Sequence, residues 1–565
     1  MRMVGIAFVI LAFSILARLS FWQLIEGGKL SREARAQQLS GSEFGAQRGN
    51  IFSSDGSPLA ASSEAWLVYA DITKTDKSPK EIANLLAPLL VEDDVEREEL
   101  LREVLRVQAM LERDVVWTPL KDKVTTDVKK NIEALGISGI GFELVEDRIY
   151  PEASVAAHVL GIVGKESEGG DRGYFGLEGY YDLTLGGQTG YVEREADLLG
   201  QPILSGVERQ ISASPGIDLV THIDKRIQLL AQRSLAAGIE RYGAISGSVI
   251  IMRPSDGAIL AMSVLPDFDP GSFENYSNRD FRNPVISDSF EPGSIFKPVI
   301  MASALDAGVV RPDTECDICG EPLKVDKYFI KTWNDEYKKD ITMAEVLRES
   351  NNVGMAFVGD RLGKELTHDY LVKFGFGQKT GIDLQGEMSP KLRNRDDWNV
   401  VDLAATSFGQ GIAVTPIQMI RAIAAIANDG VLVMPQVVNS VSADGWEDDI
   451  EPISQRRVIS KKAADEVTDM MVSAAKQGEA KWAVPRGFDI AGKTGTAQIP
   501  VEGHYDEDKT IASFVGFAPA SDPEFVMLVT LREPQSSPWA SETAAPLWFD
   551  IALELFPYLG IGPDR

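Results

Sequence analysis

Residues 246–265 read SGSVIIMRPSDGAILAMSVL, two apolar runs joined by Pro-Ser-Asp-Gly. Such runs around a turn tetrapeptide predict a β-hairpin. Just before it, DLVTHIDKRIQLLAQRSLAAGI (218–239) reads as a strand running into a helix. Near the end of the chain ASFVGFAPASDPEFVMLVTLREP (512–534) repeats the hairpin pattern, and APLWFDIALELF (545–556) closes as a helix. Hairpins at both ends with helices between them predict an α+β fold, an antiparallel sheet covered by helices.

Upstream the character of the chain changes. The segment QRGNIFSSDGSPLA (47–60) gathers Gly, Ser and Pro around a strand-like pair, and Arg32 to Gln38 reads as helical. Residues 76–136, including VEREELLREVLRVQAMLERD, carry Glu, Lys, Leu and Val at helical spacing and read as a solvated helical insertion packed on its own domain. A Gly-rich stretch, GLEGYYDLTLGGQTG, and a loop-like one, ILSGVERQISASPG, precede a shift to longer apolar periods. These features divide the chain into an anchor over 1–25, an N-terminal domain over 26–215 and a larger domain over 216–565. No internal repeat of fixed period is visible.

With 565 residues, 44% hydrophobic and 25% charged, the chain suits two or three globular domains. Its 84 acidic residues against 56 basic ones give a net charge of -28, which repels nucleic acid. The four histidines, His158, His222, His368 and His504, lie far apart without metal-ligand spacing, so the expectation is chemistry without a metal or other cofactor. Cys316 and Cys319 supply half of a structural zinc site at most; a structural role is expected, and outside the cytosol they could close a small disulfide loop. The apolar run from Met3 to Ile25, broken only by Arg18, is long enough to cross ~30 Å of hydrocarbon, and Phe21, Trp22, Leu24 and Ile25 make an interfacial belt. An uncleaved anchor is the favoured reading over a signal peptide processed near Ala17, and both export the rest of the chain.

The chemistry begins at EPGSIFKPVI (291–300), where Ser294 and Lys297 stand three apart at a helix start, the lysine one turn along on the same face. Serine needs a base, and the histidines offer none; a free lysine titrates near ~10.4, so it serves only if burial or a second cation pushes it well down. A single Ser-x-x-Lys says little, but two elements follow in order. RESNNVG supplies Ser350, able to relay a proton, and Asn352, able to hold Lys297 and a substrate amide. AGKTGTAQ supplies Lys493, Thr494, Gly495 and Thr496. On a strand the two threonine hydroxyls share a face and can meet one substrate carboxylate, while Gly495 leaves room for a ligand backbone. Lys493 adds the positive field, and the amides of Ser294 and Thr496 are the candidate oxyanion hole. A second tripeptide, Lys379-Thr380-Gly381, lacks the trailing threonine and reads as a turn.

Together these elements resemble the penicilloyl serine transferases, and further segments narrow the likeness to class B penicillin-binding proteins: QRGNIFSSDGSPLA, RIYPEASVAAHVLG, GLEGYYD, SFGQGIAVTPIQMIRAIAAIANDG and ASFVGFAPA. The resemblance spans nearly the whole chain from the anchor to Pro546. It implies an elongated pedestal followed by a transpeptidase domain with a five-stranded antiparallel sheet between helices. Ser294 looks like the acylated nucleophile, Lys297 its base, Ser350 and Asn352 the second catalytic element, and Lys493, Thr494, Gly495 and Thr496 the substrate-binding strand. Implied with them are peptidoglycan D,D-transpeptidation on D-Ala-D-Ala stem peptides, acylation by β-lactams, a septal division role, and a membrane glycan polymerase and division proteins as partners. The catalytic domain is expected outside the membrane on a single-pass anchor. Departures are Gln410 where a tyrosine is common, Asn351 where a second serine is common, and His222 in the stretch where Leu-Thr-Ile-Asp usually stands. No glycosyltransferase domain precedes residue 215, since EDRIYPEASVAAH has the wrong spacing to its histidine. An elongation-type transpeptidase, a D,D-carboxypeptidase or β-lactamase, and a non-catalytic β-lactam sensor or scaffold remain alternatives.

Overall fold

The computed structural model describes residues 2–30, 39–91, 95–166, 170–195, 208–443, 445–501 and 504–563. Contacts divide the chain into two compact units, one of residues 1–48 with 186–216 and one of 49–185 with 217–565. The first holds a continuous helix over Arg2–Ile25, with mean hydropathy 2.3 and none of it buried, which is long and apolar enough to cross a membrane. The Arg18 guanidinium lies over the rings of Phe21 and Trp22, as expected of a cation at the end of an apolar span. The same unit has a three-stranded antiparallel sheet of Leu39–Phe44, Gly190–Glu195 and Glu208–Ile211. Residues 208–211, loop-like in sequence, form a strand because they pair with Gly190–Glu195. The helix read over Arg32 to Gln38 lies outside the described residues.

In the larger unit the two hairpins meet in one sheet. Its order is Ile259–Leu265, Ser246–Met252, Phe525–Arg532, His504–Ala518, Ala491–Val501, all antiparallel. Along Ser246–Met252, Val249 and Ile251 face one core while Ile250 and Met252 face the other; Phe525–Arg532 alternates the same way. Burial on both faces explains why these strands read as unbroken apolar runs. Helices Lys225–Tyr242 and Ala544–Tyr558 cover the first face, Asp224 capping the former through Arg226 and Ile227 amides. Helices Lys297–Asp306, Asn352–Lys373 and Pro416–Ala427 build the core against the second.

A seven-stranded sheet runs Trp446–Asp449, Val438–Ala443, Asp218–Thr221, Ile51–Phe52, Pro58–Asp71, Trp117–Val124, with Ile140–Ile149 also paired to Pro58–Asp71. Strands from both sides of residue 215 therefore share backbone hydrogen bonds. Residues 76–136 are not wholly helical: beside helices Pro79–Leu90, Arg97–Leu111 and Thr126–Ala134 they contain the Trp117–Val124 strand. The helices pack on their own unit as expected, Ile82, Leu86, Val107 and Leu111 lying against Val68 and Leu120 of the sheet. Three upstream motifs converge on one buried ion pair: Arg148 binds Glu178 at 2.7 Å and donates to the Gly49 carbonyl and the Ser62 hydroxyl.

Candidate active site

Ser294 sits in a 3-10 turn, Gly293–Phe296, that continues into helix Lys297–Asp306. Pro298 falls in the first turn, where a missing N–H costs nothing. Residues Lys297 to Leu305 are all buried, so this helix has no polar face, and its one lysine is sealed at its first position. The Lys297 amine meets three oxygens: the Ser350 carbonyl at 2.6 Å, the Asn352 amide oxygen at 2.7 Å and the Ser350 hydroxyl at 3.1 Å. Burial pushes this lysine well below its usual range, the nearby Lys493 pushes it further, and Glu479 opposes. In all three contacts the amine donates to an oxygen, two of them carbonyl-type and one a hydroxyl. No hydrogen bond joins Ser294 to Lys297 among the described residues.

Ser350 lies between helices Met343–Arg348 and Asn352–Lys373 with φ 56°, a left-handed conformation that serine adopts at a cost of order 1–3 kcal/mol. That bend turns both its carbonyl and its hydroxyl onto Lys297. Asn351, one of the departures, caps the following helix by accepting from the Gly354 amide at 2.8 Å. The Asn352 amide nitrogen donates to the Lys331 carbonyl at 3.0 Å, fixing the amide so that its oxygen faces Lys297.

The third element lies on Ala491–Val501, an edge strand, where alternate N–H groups have no partner in the sheet. A Cβ on Gly495 would stand 2.8 Å from Ile295 Cγ2 and 3.2 Å from the Pro292 carbonyl oxygen. Gly495 is thus required first by the nucleophile's own turn, which packs on the strand, and not only by a ligand backbone as the sequence suggested. The turn's other side is as tight: a Cβ on Gly409 would reach the Gly293 carbonyl oxygen at 2.1 Å, and the Gly293 amide donates to the Gly409 carbonyl. Lys493 is buried and burial lowers its pKa, with Glu479 again opposing. Both threonine hydroxyls have protein partners: Thr494 donates to Glu479 at 2.8 Å and accepts from Lys493 at 3.1 Å, while Thr496 accepts from the Ala540 amide at 3.0 Å.

This arrangement matches known proteins over nearly the whole chain. Residues 247–553 match the family described as penicillin binding protein transpeptidase domain, and residues 43–221 the penicillin-binding protein dimerisation domain. The chain belongs to the class B penicillin-binding proteins. It is 32% identical over 569 residues to stage V sporulation protein D of Bacillus subtilis, covering 99% of this chain and 85% of the relative. It is 29% identical over 567 residues to the peptidoglycan D,D-transpeptidase FtsI of Escherichia coli, covering 99% and 92%. The crystal structure of penicillin binding protein 2X from Streptococcus thermophilus aligns with a TM-score of 0.76 at 25% identity over 93% of this chain and 83% of that one. This class B penicillin-binding protein is accordingly a serine-type peptidoglycan D,D-transpeptidase.

Structure adds partners to this penicillin-binding protein's site that motif spacing does not show. Glu479, just beyond helix Lys461–Gln477, reaches the Ala491–Val501 strand at Thr494. Trp333 and Trp539 meet with ring centroids 5.6 Å apart, each on a segment already tied to the site, the first by Lys331 to Asn352 and the second by Ala540 to Thr496. An exposed tryptophan in a loop was the only available signal. The second tripeptide is irregular backbone past the turn at 374–377 that follows helix Asn352–Lys373, held by the Glu387 carboxylate, which accepts from the Thr380 amide and hydroxyl and the Gly381 amide. Cys316 and Cys319 are joined as a disulfide. Among the described residues no cluster of His, Cys, Asp and Glu suits a metal ion.

Proposed function

We propose that Ser294 attacks the penultimate D-Ala carbonyl of a pentapeptide stem while Lys297 takes the hydroxyl proton. The oxyanion is held by the amides of Ser294 and Thr496, the carbon–nitrogen bond to the terminal D-Ala breaks, and Lys297 returns the proton to the departing amine through Ser350. An amine from a second stem then attacks the ester; its proton goes back along Ser350 and Lys297, Ser294 regains its hydroxyl, and the cross-link remains. A β-lactam opens its ring in the same first step and stays on the serine. Lys493, Thr494 and Thr496 hold the substrate carboxylate, with Gly495 letting strand and nucleophile turn close together.

The observation that carries this reading is the sealed Lys297 amine bound by Ser350 and Asn352 one turn from Ser294. Apo sites often hold nucleophile and base slightly apart, and substrate brings them together. Labelling the purified full chain with fluorescent penicillin tests it: stable labelling of wild type, lost in Ser294→Ala, is expected, and a folded wild-type chain that takes no label refutes it.

The proposed setting is septal cell-wall synthesis, with a membrane glycan polymerase and division proteins as partners, residues 26–215 as the pedestal and 216–565 as the catalytic domain. Helix Arg2–Ile25 would be the single anchor, and the Cys316–Cys319 disulfide fits a catalytic domain outside the cytosol. Similarity to a sporulation protein favours a second reading, spore-envelope synthesis. A fluorescent fusion that gathers at division septa of growing cells supports the first; one seen only in sporulating cells supports the second.

A further inference from the structure

A serine or threonine hydroxyl has one proton to donate and two lone pairs to accept with. In Thr494 the proton goes to the Glu479 carboxylate at 2.8 Å, and one lone pair takes a proton from Lys493 at 3.1 Å. The strand expected to bind a substrate carboxylate therefore already has a carboxylate on it. Glu479 comes from outside the strand, is only partly buried, and acts on both Lys493 and Lys297. We propose that Glu479 is a positioning and specificity-determining residue, an internal carboxylate that orders Lys493 and Thr494 and competes for them with the carboxylate of the incoming peptide or β-lactam.

Two anions cannot share one hydroxyl proton, and their like charges repel at this distance. When a ligand carboxylate arrives, the Thr494 hydroxyl turns from Glu479 to the ligand, and Lys493, whose amine donates to the Thr494 hydroxyl and carbonyl, comes under two negative charges instead of one. The cost is borne only by ligands that carry the charge, so Glu479 lowers the preference for acids over neutral analogues. It also acts on the base. The charges acting on Lys297 are Lys493 from the edge strand and Glu479, while Ser350 and Asn352 contribute neutral oxygens. Glu479 favours the protonated amine, so removing its charge frees the base at lower pH.

This inference rests on the proposed roles of Ser294, Lys297, Lys493 and Thr494. Its test compares acylation rate constants for benzylpenicillin and benzylpenicillin methyl ester, across pH, in full-length wild type, Glu479→Gln and Glu479→Asp. Glu479→Gln should raise the acid-over-ester preference about five- to tenfold and move the acid limb of the profile to lower pH. Glu479→Asp, which keeps the charge, should return both towards wild type. An unchanged or reduced preference in a Glu479→Gln protein that melts like wild type overturns the proposal while leaving the site assignment standing. Failure of wild type itself to acylate at Ser294 with either probe removes the assignment and the proposal together.

Discussion

A lysine with no exposed surface keeps a proton only if an anion compensates, and the atoms touching Lys297 are neutral oxygens. Its lowered pKa follows from that, and so does a sign. Between its folded pKa and the ordinary lysine value the unfolded chain binds the extra proton, so stability rises with pH across this window. Acylation should fall as pH drops through the same folded pKa, because the protonated amine cannot accept from Ser294. Lys297→Met should lower acylation by about 10²–10⁴-fold and reduce the rise in stability, leaving the part that the likewise lowered Lys493 contributes; labelling rates and denaturant midpoints over a pH series check both. Ser294 and Lys297 were legible in the sequence because a helical turn fixes their relation locally. Glu479 was not, because nothing in QGEAK says that its side chain will reach a strand more than a dozen residues on.

The elements that meet at the nucleophile do so through glycines. Gly495→Ala would press a methyl group onto Ile295 and should part the edge strand from the Ser294 turn, costing about 1–3 kcal/mol and slowing acylation. Gly409→Ala meets the Gly293 carbonyl oxygen, backbone rather than a movable side chain, and should be worse. Thermal melts with fluorescent penicillin labelling rank the two; equal behaviour of Gly409→Ala and wild type would mean that the turn is free to move. The hairpins were legible from period and turn residues, and Ser246–Met252 with Ile259–Leu265 pair as read. The Trp117–Val124 strand was not, because its exposed residues and the helical spacing around it mask a partner found only in Pro58–Asp71.

For the whole molecule, the Arg148–Glu178 pair connects strand Ile140–Ile149 to helix Gly176–Tyr180 and, through Gly49 and Ser62, to the start of the seven-stranded sheet. With side chains 6% and 0% exposed, neither partner can be rescued by water if the other is removed. Arg148→Met should cost about 3–5 kcal/mol, and Arg148→Met with Glu178→Leu should cost less than Arg148→Met alone. Chemical unfolding of wild type, Arg148→Met, Glu178→Leu and the double variant measures this; additive losses would show that the pair is not coupled.

What the sequence determined by itself was whatever depends on neighbours a few positions away: the apolar N-terminal helix, the hairpins, and the placing of Ser294 before Lys297. Order along the chain then pointed to three catalytic elements without saying how they touch. Tertiary structure decided the rest: that Lys297 is sealed against Ser350 and Asn352, that Gly495 serves the packing of the Ser294 turn, and that the Glu479 carboxylate stands on the Ala491–Val501 strand. Those facts depend on distances between segments remote in sequence, which are set only when the two cores close around the sheet and exclude water from the lysines between them.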